Sequence, residues 1–282
     1  MAACAQAAGL ADTGKGGRPM RIERRDPTLT YPRAVREEKL RLVLDWLLEF
    51  QFSSVDLLAR RLGLTSQSSY RFFRSLLDDQ IIQYFKSVYT HQVRYLMITK
   101  ARVDVLQVAG RDVANAHTQP SRLNRYAHLM HDLAVQRAVL NRLAHYDEVI
   151  WDKHINIPEQ CEKPDALLHS PKNYWVALDY ERWRKEHKHV YLSFMNHARV
   201  LIKRRYTGVY YLFDREPDLV HYQTLFTAQA WPEYHYNRKT GNITPAGTHF
   251  QPDAIDHLRD CFLFIHEPHS TTRDSLQKRG VG

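Results

Sequence analysis

The chain has 282 residues, 44% hydrophobic and 25% charged, and its 40 Lys and Arg exceed its 31 Asp and Glu by a formal charge of +9. That length suggests one large domain or two modest ones. The composition excludes wholesale disorder, collagen and coiled coil, and no apolar run approaches the ~20 residues of a membrane span.

Three scattered cysteines, Cys4, Cys161 and Cys261, are too few for a disulfide framework or a cysteine zinc site. The opening residues do not read as a secretory signal. The expectation is a soluble, cytoplasmic protein with no membrane insertion. A positive surplus raises affinity for polyanions, of which nucleic acid is the commonest in a cell. Residues 1–110 carry seventeen Lys and Arg against eleven Asp and Glu, so a polyanion-binding module is expected there.

Residues 1–33, rich in Ala, Gly and then Arg and broken by Pro19, Pro27 and Pro32, read as a flexible basic arm. From Val35, Leu40, Val43, Leu44, Leu47 and Leu48 recur at helical spacing. Ser54 caps a second helix that Gly63 stops. A third helix opens in the Thr65–Ser69 segment and runs to about Asp78, its apolar face expected at Tyr70, Phe73, Leu76 and Leu77.

Two alternating runs, Ile81–Phe85 and Val93–Ile98, read as strands joined by a polar loop. Helix, helix, Gly turn, helix and ribbon is the element order of a winged helix-turn-helix, assigned to residues 34–110. On that reading Ser66, Gln67, Ser69, Arg71 and Arg74 of the third helix face the major groove. Lys86 and Arg94 place charge on the wing, near phosphates. A small helical domain that binds protein is the alternative.

A polar linker ending in Pro120 leads into a long helix expected over residues 122–144. Strand-like runs follow at 148–151, 166–169 and 175–181, then a helix from about Arg182 to Lys203 and a strand at 209–213. Helices interspersed with strands indicate an α/β layer structure over residues 111–268, with a disordered basic tail at 269–282.

Within it, Pro164-Asp165 begins a strand, Ser170-Pro171-Lys172-Asn173 is a turn of hairpin length, and the returning strand ends in Asp179-Tyr180-Glu181. Residues two apart in a strand share a face, so Asp179 and Glu181 project together. An antiparallel hairpin brings Asp165 to the same region, and Lys185 follows one turn later. Three carboxylates and one ammonium can hold a hard divalent cation, Mg²⁺ or Mn²⁺, beside a phosphodiester. The bland alternative is a set of solvated carboxylates with Lys185 pairing to Glu181. The enzymatic reading requires that the four groups share a pocket with room for an ion.

Three runs carry a family resemblance: Pro164-Asp165-Ala166-Leu167-Leu168; Ala177-Leu178-Asp179-Tyr180-Glu181-Arg182 with Lys185; and Tyr206-Thr207-Gly208 through Phe213. With His131-Asp132-Leu133-Ala134-Val135, they resemble the MobC-type plasmid mobilization relaxases and the related replication-relaxation proteins. Those families join a winged helix to a domain of the PD-(D/E)xK endonuclease type. The resemblance spans about residues 35–215.

It implies a relaxase that nicks one strand of double-stranded plasmid DNA at an origin of transfer in a bacterial cytoplasm. An accessory mobilization protein and a coupling protein would be its partners. Asp165, Asp179, Glu181 and Lys185 take the catalytic positions, the three acids those of the metal ligands. Two departures are plain: Glu181 stands where the endonuclease pattern has lysine, and Asp179 where relatives often have glutamate. A non-enzymatic DNA-binding regulator or replication accessory with a degenerate nuclease domain is the rival, and a nuclease cutting both strands a third reading.

Other candidates are weaker. His128 with His131, and His187 with His189, lack a cysteine or third ligand at zinc spacing. Tyr180, Trp183 and Arg184, and the stretch from Trp231 to Lys239, offer faces on which unpaired bases could stack.

Overall fold

The structure, a computed structural model, describes residues 20–21, 26, 28, 31–90, 93–155, 163–237 and 239–268. The expected basic arm and basic tail lie almost wholly outside them. The chain is mixed α/β and divides into two compact units at Trp151/Asp152.

The first unit opens with β1 (Met20–Arg21) and α1 (Pro32–Phe50), whose Pro32 sits in the first turn, where its missing N–H costs nothing. Then come β2 (Ser53–Ser54), α2 (Val55–Arg61), α3 (Ser66–Asp78), β3 (Ile82–Lys86), β4 (Arg94–Ile98) and α4 (Lys100–Val108). Ser54 accepts the Leu57 N–H and Thr65 the Ser68 N–H, so α2 and α3 each start on a side-chain cap. Gly63 takes φ +63°, where a Cβ would be strained, and turns one helix into the next. The strands form an antiparallel sheet of order β2-β4-β3 with Lys86 opposite Arg94. Leu106 of α4 packs with Leu44 and Ile98.

The single long helix expected over 122–144 is two: α5 (Pro120–Asn124) and α6 (Leu129–Arg142). Between them Tyr126 turns inward, its ring against Phe52 and its hydroxyl donating to Asp132 at 2.8 Å. The expected boundary at residue 110 lies elsewhere, because α6 belongs to the first unit. Its Gln136 is fully buried and accepts from Trp46 Nε1 (3.0 Å) and Ser53 Oγ (2.7 Å) while donating to the Phe52 carbonyl (2.9 Å). This amide ties α6 to α1 and β2. β5 (Glu148–Trp151) pairs antiparallel with β1, and its Trp151 N–H donates to the buried Glu49 carboxylate at 2.7 Å.

The second unit is built on β6 (Ala166–Ser170), β7 (Tyr174–Glu181), α7 (His187–Ile202), β8 (Gly208–Phe213), α8 (Glu216–Phe226), the ribbon β9 (Trp231–Asn237) and β10 (Asn242–Phe250), and β11 (Phe262–His266). Its mixed sheet runs in the order β6-β7-β8-β11: β6 and β7 are an antiparallel hairpin, and β8 is parallel to both β7 and β11. Ser170 faces Tyr174 across the expected turn, which Asn173 closes at φ +61°. A turn with Gly241 at φ +72° joins β9 to β10. Phe194 of α7 sits amid Tyr211, Tyr222, Phe226, Trp231 and Phe262, with ring centroids 5.3–6.3 Å away. That aromatic core holds α7 across the β7–β8 connection.

Candidate active site and nucleic-acid interface

The open end of the β6–β7 hairpin brings the predicted acids together. The Asp165 N–H donates to Asp179 Oδ1 at 3.2 Å, and the Tyr180 N–H donates to Asp165 Oδ2 at 2.6 Å. The hairpin register places these residues, since Ala166 faces Leu178 and the next pair outward is Asp165 with Asp179. Glu181 lies two residues on along β7 and accepts from Lys185 Nζ at 2.8 Å. Lys185 is in the connection between β7 and α7, not in a helix; α7 begins only at His187.

The cluster is costly. Glu181 is 4% exposed and Asp179 8%. Burial, foremost, pushes the Glu181 carboxyl above its ordinary range; the Lys185 ammonium pulls it back, and the charges of Asp179 and Asp165 push it further up.

Sequence reasoning missed two members. His197 Nε2 meets Asp179 Oδ2 at 2.6 Å and its Nδ1 meets Tyr206 Oη at 2.6 Å, all within the buried interior. The relay fixes the Asp179 carboxylate from the α7 side. One signal existed in the sequence: Val190, Phe194, His197 and Leu201 share the buried stripe of α7, so a histidine there requires a buried polar partner.

The donor chemistry suits a hard cation, being three carboxylates. Their placement is not a ready-made cage, because Asp179 is engaged by His197 and the Asp165 amide, and Glu181 by Lys185. Among the described residues no three His, Cys, Asp or Glu side chains are disposed to hold one ion.

The aromatic candidates divide. Trp183 is exposed and lies with Arg182 over its ring at 5.3 Å. Tyr180 is buried, its hydroxyl donating to the Glu267 carbonyl at 2.6 Å, and Trp231 lies in the aromatic core, so neither offers a free face. Arg238 lies outside the described residues.

In the first unit, α3 presents Ser66, Gln67, Tyr70, Arg71 and Arg74 to solvent. The expected apolar face holds at Phe73 and Leu76 and fails at Tyr70. Tyr70 is 70% exposed, whereas Ser69 is 5% exposed and its hydroxyl donates back to the Ser66 carbonyl at 2.8 Å. Ser69 therefore belongs to the buried stripe with Phe73 and Leu76 and cannot reach a ligand. Arg71 shares an open cleft of about 420 Å³ with Arg36 and Lys39 of α1, while Arg74 pairs with Asp78 at 3.0 Å on the exposed surface. On the ribbon, Lys86 and Arg94 are exposed, directly opposed, and Arg94 lies over the Tyr84 ring at 5.5 Å. Like charges facing across two strands repel, an arrangement that a polyanion relieves.

No protein-family model and no curated protein matches the chain. Two solved structures, both single-residue mutants of Lactococcus lactis ZitR, are similar to it at 11% identity. Each match covers 43% of this chain and 68% of the ZitR chain, with a TM-score of 0.22, a value that carries no statement about fold or function. No described helix is long and apolar enough to cross a membrane.

Proposed function

We propose that the protein is a relaxase-type DNA endonuclease of the MobC kind, which nicks one strand of plasmid DNA at an origin of transfer. One observation carries the reading: Asp165, Asp179, Glu181 and Lys185 gather at one hairpin end, where burial holds the Glu181 carboxyl above its ordinary range. In this reading the first unit is a winged helix that docks α3 on the duplex, and the second a PD-(D/E)xK-like nuclease domain.

Asp165, Asp179 and Glu181 would hold a Mg²⁺ or Mn²⁺ ion only after giving up their present partners, among them His197, Lys185 and backbone amides; such an ion, once bound, would polarise a phosphodiester oxygen and make an attacking water more acidic. The chain's own groups do the rest. Lys185, released from Glu181, stabilises charge developing on the phosphate. His197 and Tyr206 hold Asp179 in one orientation, and the Tyr180 N–H holds Asp165.

Purified protein, supercoiled plasmid carrying the cognate origin, and Mg²⁺ or Mn²⁺ are expected to give open circles. Asp165→Asn or Lys185→Ala should lower the rate about a thousandfold, the scale of losing one electrostatic stabiliser. Linear product would show cleavage of both strands instead. Intact supercoils with the wild-type protein would leave the second reading, a DNA-binding regulator or replication accessory. The side chains and amides that already engage the carboxylates favour that rival.

Docking has its own test. The double variant Arg71→Ala with Arg74→Ala should weaken duplex binding and reduce the slope of log affinity against log salt by about two, one per phosphate contact. Unchanged affinity and slope at moderate salt would reject α3 as the reader. The exposed Arg74–Asp78 pair costs little to break, about 0–1 kcal/mol.

A further inference from the structure

Between Glu181 and Lys185 the chain holds an indole out in water. Trp183 is 68% exposed and stands two residues from each of those groups. At about 3.3–3.6 Å of reach per residue, its Cα lies within ~7 Å of both of theirs. Trp46, Trp151 and Trp231 are buried in packed interior; Trp183 is not, so packing does not account for it. Arg182 lies over its ring, the guanidinium carbon 5.3 Å from the centroid.

The segment that presents this ring is fastened on both sides of it. Glu181 ends β7, in the middle of the sheet, and its carboxylate accepts from Lys185 Nζ at 2.8 Å. Arg184 Nη2 lies 3.1 Å from Nδ1 of His221 on α8, and the His221 ring is also hydrogen-bonded to the Lys185 backbone. The Glu186 carbonyl accepts from the His189 and Val190 N–H groups, which starts α7. An exposed aromatic on an anchored segment is already ordered, and that lowers the entropy a ligand would have to give up.

The neighbouring charges narrow the ligand. Arg182, Arg184 and Lys185 flank the indole, and the acid that follows them, Glu186, is engaged by Lys188 at 2.7 Å. A flat π-face among cations fits a nucleobase whose phosphates reach those cations. Inside a duplex both faces of each base are already stacked, so an indole can take only a base that has left the helix.

We propose that Trp183 stacks on an unpaired base beside the phosphate to be cut, and so selects which phosphate reaches Asp165, Asp179 and Glu181. In naming that phosphate the proposal rests on the nuclease reading; the stacking itself needs no cleavage. Trp183 is then a substrate-positioning residue, and the strand must open before it is cut.

The test uses the full chain without divalent ion and follows indole emission. Trp46, Trp151 and Trp231 are buried and Trp175 is half-buried, so a ligand stacking on Trp183 quenches the emission that arises in water. The probes are a short oligothymidylate and a hairpin duplex with the same number of phosphates. Saturable quenching by the single strand, and much less by the duplex, is expected. Trp183→Phe should remove the emission change and keep most of the affinity, read by anisotropy of a dye-labelled strand. Trp183→Ala should weaken single-strand binding about tenfold or more, the scale of one stacked base, at an unchanged unfolding midpoint. No quenching by the single strand, equal quenching by the duplex, or an Ala variant that binds the strand as the wild type does would overturn the proposal. Nicking is assayed separately on plasmid with metal. Nicking by the wild type with no stacking overturns the role of Trp183 and leaves the nuclease reading standing. Stacking with no nicking supports the base contact and overturns its part in cleavage.

Discussion

Glu181→Gln is expected to abolish strand nicking and, at neutral pH, to raise the midpoint of thermal unfolding. The two effects have one cause. The wild-type carboxyl is pushed up by burial and by Asp179 and Asp165 despite the Lys185 ammonium, so folding itself opposes its ionisation. A carboxyl whose folded value is raised binds its proton more tightly in the folded state. Its contribution is therefore fully favourable below the unfolded value near 4.5 and is lost as pH rises through the folded value.

At neutral pH the ionisable Glu181 is thus a burden, since folding opposes its ionisation, and a neutral isostere removes that burden. Lys185, which is partly exposed, can turn its ammonium to water when its partner is gone. The stability advantage of the variant should shrink as pH falls toward 4.5, and thermal unfolding followed from pH 4 to 8 measures it. A stabilised but inactive variant is the mark of a residue kept for chemistry at the expense of stability. A midpoint that falls at neutral pH would instead make the Glu181–Lys185 pair structural and remove the support for an active site.

The second large effect concerns the first unit. Gln136→Ala is expected to cost about 3–5 kcal/mol, because it leaves buried Trp46, Ser53 and Phe52 groups without their partner in a place water does not reach. Set against a usual total of about 5–15 kcal/mol, that loss threatens the unit as a whole. Gln136→Met, which keeps the volume, should fail almost as badly, since hydrogen bonds rather than packing are lost. Urea unfolding of the full chain reports both through the midpoint. A Met variant as stable as the wild type would show that the amide is replaceable filler.

Much of the candidate site was legible because strand geometry is short-range. The period of two put Asp179 and Glu181 on one face, and the Ser170–Asn173 turn fixed the register that carries Asp165 to them. The missed members, His197 and Tyr206, come from a helix and a loop whose positions depend on α7 crossing the sheet, which no local spacing encodes.

What the sequence by itself determined were features set by neighbours along the chain: the caps at Ser54 and Thr65, the Gly63 turn, the hairpin, and a net charge of +9. Tertiary structure decided where those features point. It turned Ser69 inward and Tyr70 outward on α3, broke the 122–144 helix at Tyr126, and drew α6 into the first unit through Gln136 and a buried apolar face. The reason is physical. Local propensities act over a few residues and are worth fractions of a kcal/mol, whereas burying an aromatic ring or satisfying a buried polar group is worth several times more. Those stronger interactions arise only once distant segments meet.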